Sequence, residues 1–177
     1  MLGSPPLPRI LCWILTDPDR LASHAVHVRD TWAKHCDLAL FMSSKTNQSF
    51  PTIGLKVRGG RKHLARKSKA AWIYVYKRYL REFDYFAKAD DDTFMVIENL
   101  KYYLLGRDPD SPEFLGHRMY IDAMGYDIIY NSGGAGQVLS RKALQILVER
   151  AYADKTYNCM PDGEGQYSNH RQLGDID

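Results

Sequence analysis

No stretch of this chain is long and apolar enough to cross a membrane. The longest apolar run, Ile10 to Leu15, falls far short of the roughly 20 residues that a bilayer requires. No positively charged opening segment followed by an apolar stretch is present, so either the protein is cytosolic or its targeting segment lies outside these 177 residues. Cysteine is scarce, with only Cys12, Cys36 and Cys159. The absence of CxxC or Cys/His spacing excludes the usual structural zinc sites. Cys12 falls on an expected strand and Cys36 just after an expected helix. These two could meet in a disulfide and leave Cys159 unpaired. Charge of one sign is also nearly absent in net terms, because 24 basic residues face 21 acidic ones. A net charge of +3 gives no ground for nucleic-acid binding. No internal repeat or low-complexity segment interrupts the chain.

What is present suits a soluble globular domain. A chain near this length buries roughly 68–70% of its unfolded surface, enough for one real core. Residues 1–8 are proline-rich and read as a linker remnant. Arg9 to Thr16 is mostly apolar and bounded by Pro8 and Asp17-Pro18, which predicts a buried strand. A helix is expected over Leu21 to Lys34, and strands over Asp37 to Met42 and Ile53 to Val57. Leu64 to Glu82 is the longest helix candidate, with Ala71, Val75, Tyr79 and Leu80 on its buried stripe. Tyr85 to Ala89 reads as a strand running into Asp90-Asp91-Asp92, followed by a helix over Phe94 to Leu105. A strand is expected to begin at Phe114, and a helix over Ser140 to Arg150 with Ser140 as its N-cap. Alternating strands and helices predict an α/β fold, a mostly parallel sheet flanked by helices. Ligands of such sheets bind outside the carboxyl ends of the strands.

The triple aspartate lies at such an end. Three adjacent carboxylates repel one another unless a cation neutralises them. Alternate residues of a strand point the same way, so Asp90 and Asp92 can share one target. Hard divalent cations favour oxygen ligands and often sit between one or two carboxylates and substrate phosphates. A competing explanation is helix capping, with Asp92 as the N-cap of a helix beginning near Thr93. Most of the basic excess sits between Lys56 and Lys69, including Arg58, Arg61, Lys62, Arg66 and Lys67. That cluster allows an anionic ligand such as a diphosphate, although solvated basic faces are common. Gly59-Gly60-Arg61 forms a glycine turn before a helix, which lets backbone N–H groups and Arg61 approach an anion. In the third constellation, Tyr130 to Gly136, Tyr130 could stack on a sugar ring and the glycines permit close backbone approach. A tight turn before the next helix explains the same glycines. Asn47-Gln48-Ser49 is an N-glycosylation sequon in a polar loop.

Five segments occur in a telling order: Leu11-Cys12-Trp13-Ile14-Leu15-Thr16, Arg29-Asp30-Thr31-Trp32, Phe41-Met42-Ser43-Ser44, Lys88-Ala89-Asp90-Asp91-Asp92-Thr93 and Ser132-Gly133-Gly134-Ala135-Gly136. Together they resemble the β1,3-glycosyltransferase family that includes fringe, and within it the core 1 galactosyltransferase branch. The resemblance covers roughly residues 9–165, which it implies are a catalytic domain of GT-A (Rossmann-like) fold. It implies inverting, Mn²⁺-dependent transfer of galactose from UDP-galactose to the 3-hydroxyl of N-acetylgalactosamine on serine or threonine. It also implies a type II Golgi membrane protein, lumenal here and anchored by a segment outside this sequence, with a homodimer as an allowed state. By motif position, Asp90 and Asp92 would serve the metal. Thr16, Gly60, Arg61, Lys67, Asp90 and Asp91 would lie at the donor, and Tyr130, Gly133 and Gly134 at the acceptor sugar.

Residues 166–177 depart from the family pattern. Inverting transfer needs a carboxylate base to take the acceptor proton. The family's Glu-Asp pair falls here at about Tyr167 and Ser168, and neither can act as that base. Asp162 and Glu164 match the lead-in to the motif and not the motif itself. The expected cysteine partner of Cys159 and a later metal-site histidine are also missing, so the C-terminal part is expected to be truncated or atypical. The catalytic residue is therefore unassigned, and a chain that binds the nucleotide sugar without turnover is one outcome. The alternatives are a fringe-like N-acetylglucosaminyltransferase and a non-catalytic, chaperone-like relative.

Overall fold

The computed structural model describes residues 6–123 and 126–153. Its strands are β1 (Ile10–Leu15), β2 (Leu38–Ser43), β3 (Thr52–Gly54), β4 (Tyr85–Asp90), β5 (Phe114–Gly116), β6 (Arg118–Ala123), β7 (Tyr126–Asn131) and β8 (Gln137–Ser140). Its α-helices are α1 (Val26–Asp30), α2 (Leu64–Tyr79), α3 (Ile97–Leu104) and α4 (Arg141–Ile146). Six strands form one sheet in the order β3-β2-β1-β4-β8-β5, and β6 pairs with β7 in a separate ribbon. β1, β2, β3 and β4 are mutually parallel, while β8 runs against both β4 and β5. β5 therefore points with the parallel set, which makes the sheet mostly parallel as the alternating pattern predicts.

β1 shows why the sheet is central. All six of its residues are buried. Successive side chains of a strand point to opposite faces. Ile10, Cys12 and Ile14 accordingly enter one apolar cluster with Leu21, Ala25, Val28 and Trp32. Leu11, Trp13 and Leu15 enter the other with Ala70, Ala71, Trp72 and Val75 of α2. A strand covered on both faces reads as a continuous apolar run, because neither face meets water. Trp13 packs edge-on against Trp72 with ring centroids 4.9 Å apart. On the opposite face a disulfide joins Cys12 to Cys36, their Cα atoms 6.1 Å apart. For a sequence separation of 24, the chain-entropy estimate of its stabilisation is about 3 kcal/mol.

Several boundaries differ from the sequence expectation. The segment 21–34 is broken: a wide helical turn at Leu21–Ala25 and α1 precede a kink at Thr31, after which a tight turn spans Trp32–His35. β3 stops at Gly54: the Leu55 N–H still donates to the Ser43 carbonyl of β2, but the Val57 N–H turns back to the Leu55 carbonyl and the pairing ends. α3 begins only at Ile97, with extended Val96 as its N-cap and no side-chain cap. Asp92 therefore does not cap this helix, and the competing explanation for the aspartates loses its basis. Ser140 does cap α4, its hydroxyl accepting from the Ala143 N–H at 3.1 Å. The β6–β7 ribbon and β8 carry no counterpart in the sequence expectation. Among the described residues, no helix is long and apolar enough to cross a membrane.

Tyr85 supplies a test of the core. It is fully buried, and its hydroxyl meets no partner among the described residues. Burial, with the negative charge of Glu113 behind it, pushes the phenol from 10.0 up to about 12. A folded value raised above the unfolded one gives stability that is complete below pH 10 and lost as pH climbs toward 12. Between about pH 9 and pH 11.5 the chain is expected to lose roughly 2 kcal/mol more unfolding free energy than Tyr85→Phe, at about 1.4 kcal/mol per unit. Urea titrations at the two pH values check this, and parallel losses in the two proteins would refute it.

Candidate functional site

The strand order places a crevice at the centre of the sheet. From β1 the chain moves outward to β2 and β3, then crosses back to lay β4 on the other side of β1. The connections leave β1 and β4 in opposite directions, so the space beyond their carboxyl ends is open. That space is a cleft of about 330 Å³. Its lining includes Thr16 and Asp17 after β1, Arg61 in the turn before α2, Lys67 in the first turn of α2, Asp90 at the end of β4, and Asp91 and Asp92 just after it. Site residues expected from separate segments thus reach one place, although Lys67 and Asp90 are 23 positions apart in the chain.

The three aspartates have different environments. Asp91 is buried and fully engaged. The Arg20 guanidinium meets it in a fork, Nε at 2.9–3.0 Å and a terminal nitrogen at 2.6 Å. Thr16 Oγ1 donates to the same carboxylate at 2.8 Å. The hydrogen bond to Asp91 holds the Arg20 guanidinium above its ordinary range, against the opposing effect of burial. Asp90 is half-buried, and its Oδ1 accepts from Lys88 Nζ at 2.8 Å. Asp92 points outward with 66% of its side chain exposed, and the Arg20 terminal nitrogen approaches it at 3.4 Å. Strand alternation explains the division: Lys88 and Asp90 share one face, and Asp91 is turned to the face that carries Thr16.

Among the described residues, no three His, Cys, Asp or Glu side chains form a ready metal cage. The donor set suits a different arrangement. Asp92 offers an exposed carboxylate and Asp90 a second oxygen, Oδ2, that accepts no hydrogen bond among the described residues. Magnesium-like ions bind readily to one or two carboxylates when substrate phosphates complete the shell. The residues present fit that mode.

The basic side of the cleft is asymmetric. Lys67 is fully buried on the core-facing side of α2, and its Nζ reaches Asp17 Oδ1 at 2.8 Å. A buried ammonium needs such a partner. Arg61 is exposed at the rim, in the turn Arg61–His63 that leads into α2. Gly60 precedes it with φ at +96°, a conformation that favours glycine. Gly133 and Gly134 lie beside the aspartates. A methyl group added at Gly134 would stand 3.8 Å from Asp90 Oδ2, and one at Gly133 would stand 3.5 Å from Lys88 Nζ. Tyr130 sits on β7 and is exposed. Asn47 is exposed in its loop, where its Oδ1 accepts from the Ser49 and Phe50 N–H groups. Cys159, Asp162, Glu164, Tyr167 and Ser168 lie outside the described residues.

Arg20, Asp17, Lys88 and Thr93 are site residues that sequence reasoning does not assign. Lys88 carries a readable signal, since it stands two positions before Asp90 on a strand and must share its face. Arg20 carries none, because its partner Asp91 is 71 positions away.

The mostly parallel sheet, with acidic and basic groups facing across its switch point, defines a Rossmann-like α/β domain whose cleft lies at the carboxyl ends of its central strands. No family model matches the chain. Over 143 residues it is 46% identical to glycoprotein-N-acetylgalactosamine 3-beta-galactosyltransferase 1 of Xenopus laevis, covering 80% of this chain and 38% of that protein. It is 30% identical over 123 residues to the human beta-1,3-glucosyltransferase and 28% identical to the mouse protein of that name, covering 68% of this chain in each case. The chain spans 38%, 24% and 25% of the lengths of these three relatives. Through this matched region it belongs to the β1,3-glycosyltransferase family.

Proposed function

We propose that this chain carries the donor site of a β1,3-galactosyltransferase that uses UDP-galactose and Mn²⁺ and acts on O-linked N-acetylgalactosamine of glycoproteins. The observation that supports it most is the meeting of Asp90, Asp92, Arg61 and Lys67 at one switch-point cleft, in a chain 46% identical to a galactosyltransferase. Asp92 and Asp90 would hold the metal, which when bound supplies positive charge against the leaving diphosphate. Arg61 pairs with diphosphate oxygens from the rim. Lys67, held by Asp17, keeps a positive charge under the cleft floor. Thr16 fixes Asp91, and through it the turn that presents the other two carboxylates. Gly134 borders Asp90 and, with Gly133, leaves room for an acceptor sugar, on which Tyr130 of β7 would stack. The lumen of the Golgi is the compartment in which such donors and acceptors meet.

Comparative calorimetry tests the donor assignment. UDP-galactose is expected to bind in the presence of Mn²⁺, and more tightly than UDP-glucose or UDP-N-acetylglucosamine. A preference for UDP-N-acetylglucosamine would favour the fringe-like alternative, and no Mn²⁺-supported binding of any UDP-sugar would sink the proposal. Incubation with UDP-galactose and a GalNAc-α-peptide then separates a transferring chain from one that binds without turnover.

A further inference from the structure

The loop joining β7 to β8 is held by the aspartate turn through two successive carbonyl groups. Lys88 Nζ donates to the Gly133 carbonyl at 3.0 Å, and Thr93 Oγ1 donates to the Gly134 carbonyl at 2.7 Å. Both donors are themselves fixed. Lys88 is 5% exposed, lies over Trp13 and is shared with Asp90 Oδ1 at 2.8 Å. Thr93 closes the turn, its N–H donating to the Asp90 carbonyl at 3.1 Å and its Oγ1 accepting from the Asp90 N–H at 3.3 Å. The Thr93 carbonyl accepts from the buried Trp32 Nε1 at 3.0 Å. The loop closes on itself where the Gly136 N–H reaches the Gly133 carbonyl at 3.3 Å, and Gly136 adopts φ of +90° against Lys88 and Met95.

Carbonyl groups in a glycine-rich loop have no side chains of their own to hold them. Glycine also loses more conformational freedom on ordering than any other residue. Two side-chain donors acting on adjacent peptide units therefore remove most of the freedom the sequence gives this loop. We infer that Lys88 and Thr93 are positioning residues: they set the glycine loop against the Asp90–Asp92 turn so that the acceptor side of the site is built in register with the donor side. The acceptor role of the loop rests on the function proposed above. The clamp itself rests on the contacts alone.

Hydrogen exchange read by mass spectrometry on the whole chain tests the clamp without any ligand. Amides of the segment 132–137 are expected to exchange roughly fivefold faster or more in Thr93→Val and in Lys88→Met, the loss of about one net hydrogen bond. Amides of β1 should keep their rates, which shows that the fold is intact. Thr93→Val is nearly isosteric and half-exposed, so it remains informative if Lys88→Met proves unstable. Loop rates within twofold of the parent in Thr93→Val overturn the paired clamp. Calorimetry adds the functional arm. Thr93→Val should bind a GalNAc-α-peptide about fivefold more weakly and lose a clearly smaller factor in UDP binding with Mn²⁺. Equal losses of both ligands overturn the acceptor-side role. Should the parent chain fail to bind UDP at all, the donor assignment falls, and the exchange rates still decide the clamp.

Discussion

Under the proposed metal assignment, Asp92→Ala is expected to weaken Mn²⁺-supported UDP binding about 100-fold and to leave the fold untouched. Asp92 is 66% exposed, and Arg20 approaches it only to 3.4 Å. Surface pairs of this kind contribute about 0–1 kcal/mol, so the unfolding free energy should move by less than about 0.5 kcal/mol. The effect on the ligand is of another order. Where an ion is held by one or two carboxylates and the substrate's phosphates, removing the outermost carboxylate removes a large part of the protein's share of the coordination shell. A fall of about 100-fold in UDP affinity with Mn²⁺ present corresponds to roughly 2.7 kcal/mol. On the proposed assignment, UDP binding without Mn²⁺ relies on Arg61 at the rim and should change little. The contrast between the two titrations is the decisive quantity. Calorimetry of the parent and the variant, each with and without the ion, supplies it. Equal Mn²⁺-supported affinity in both proteins would remove Asp92 from the metal site.

Part of this site is legible in the amino-acid sequence. The run Ile10 to Leu15 signals a strand buried on both faces, and an aspartate run ending another strand signals a ligand end. Local signals suffice there because strand periodicity and a turn fall within a few residues of each other. The division of labour among the aspartates is not legible. Sequence spacing gives Asp90 and Asp92 a common direction, but nothing near Asp91 shows that Arg20 and Thr16 will meet it. Those contacts exist only because β1 and β4 pair with Leu15 opposite Asp90. The capping alternative for Asp92 fails for a similar reason. The expected helix runs from Phe94, yet the chain stays extended at Val96 and α3 starts at Ile97, since Phe and β-branched Val favour helix only weakly. Phe94 remains 71% exposed, so no burial draws those residues into the helix. β8 escapes a sequence reading because it is four residues long and pairs with β4 and β5, both distant in sequence.

Arg20→Met tests the part of the site that the sequence hides. It is expected to cost on the order of 2–3 kcal/mol of unfolding free energy, because among the described residues it strands the Asp91 carboxylate with the Thr16 hydroxyl as its remaining side-chain donor. A fully buried pair would cost more when broken. Here the Arg20 side chain is 37% exposed while that of Asp91 is 5% exposed, so water can enter from the arginine side and recover part of the loss. Arg20→Lys should fall between the two, since a point charge cannot reproduce the fork that spans both carboxylate oxygens. The double variant Arg20→Met with Asp91→Asn leaves no unpaired charge and should be more stable than the sum of the single losses by about 1–2 kcal/mol. Urea unfolding followed by tryptophan fluorescence gives all four values. Functionally, Arg20→Met should weaken Mn²⁺-supported UDP binding even though Arg20 need not touch the nucleotide, because Asp91 is the buried peg between the two carboxylates that face the cleft. If Arg20→Met unfolds within about 0.5 kcal/mol of the parent, as an ordinary surface change does, Asp91 is solvated without its partner. The turn then takes its shape from Thr93 and Trp32 rather than from the pair.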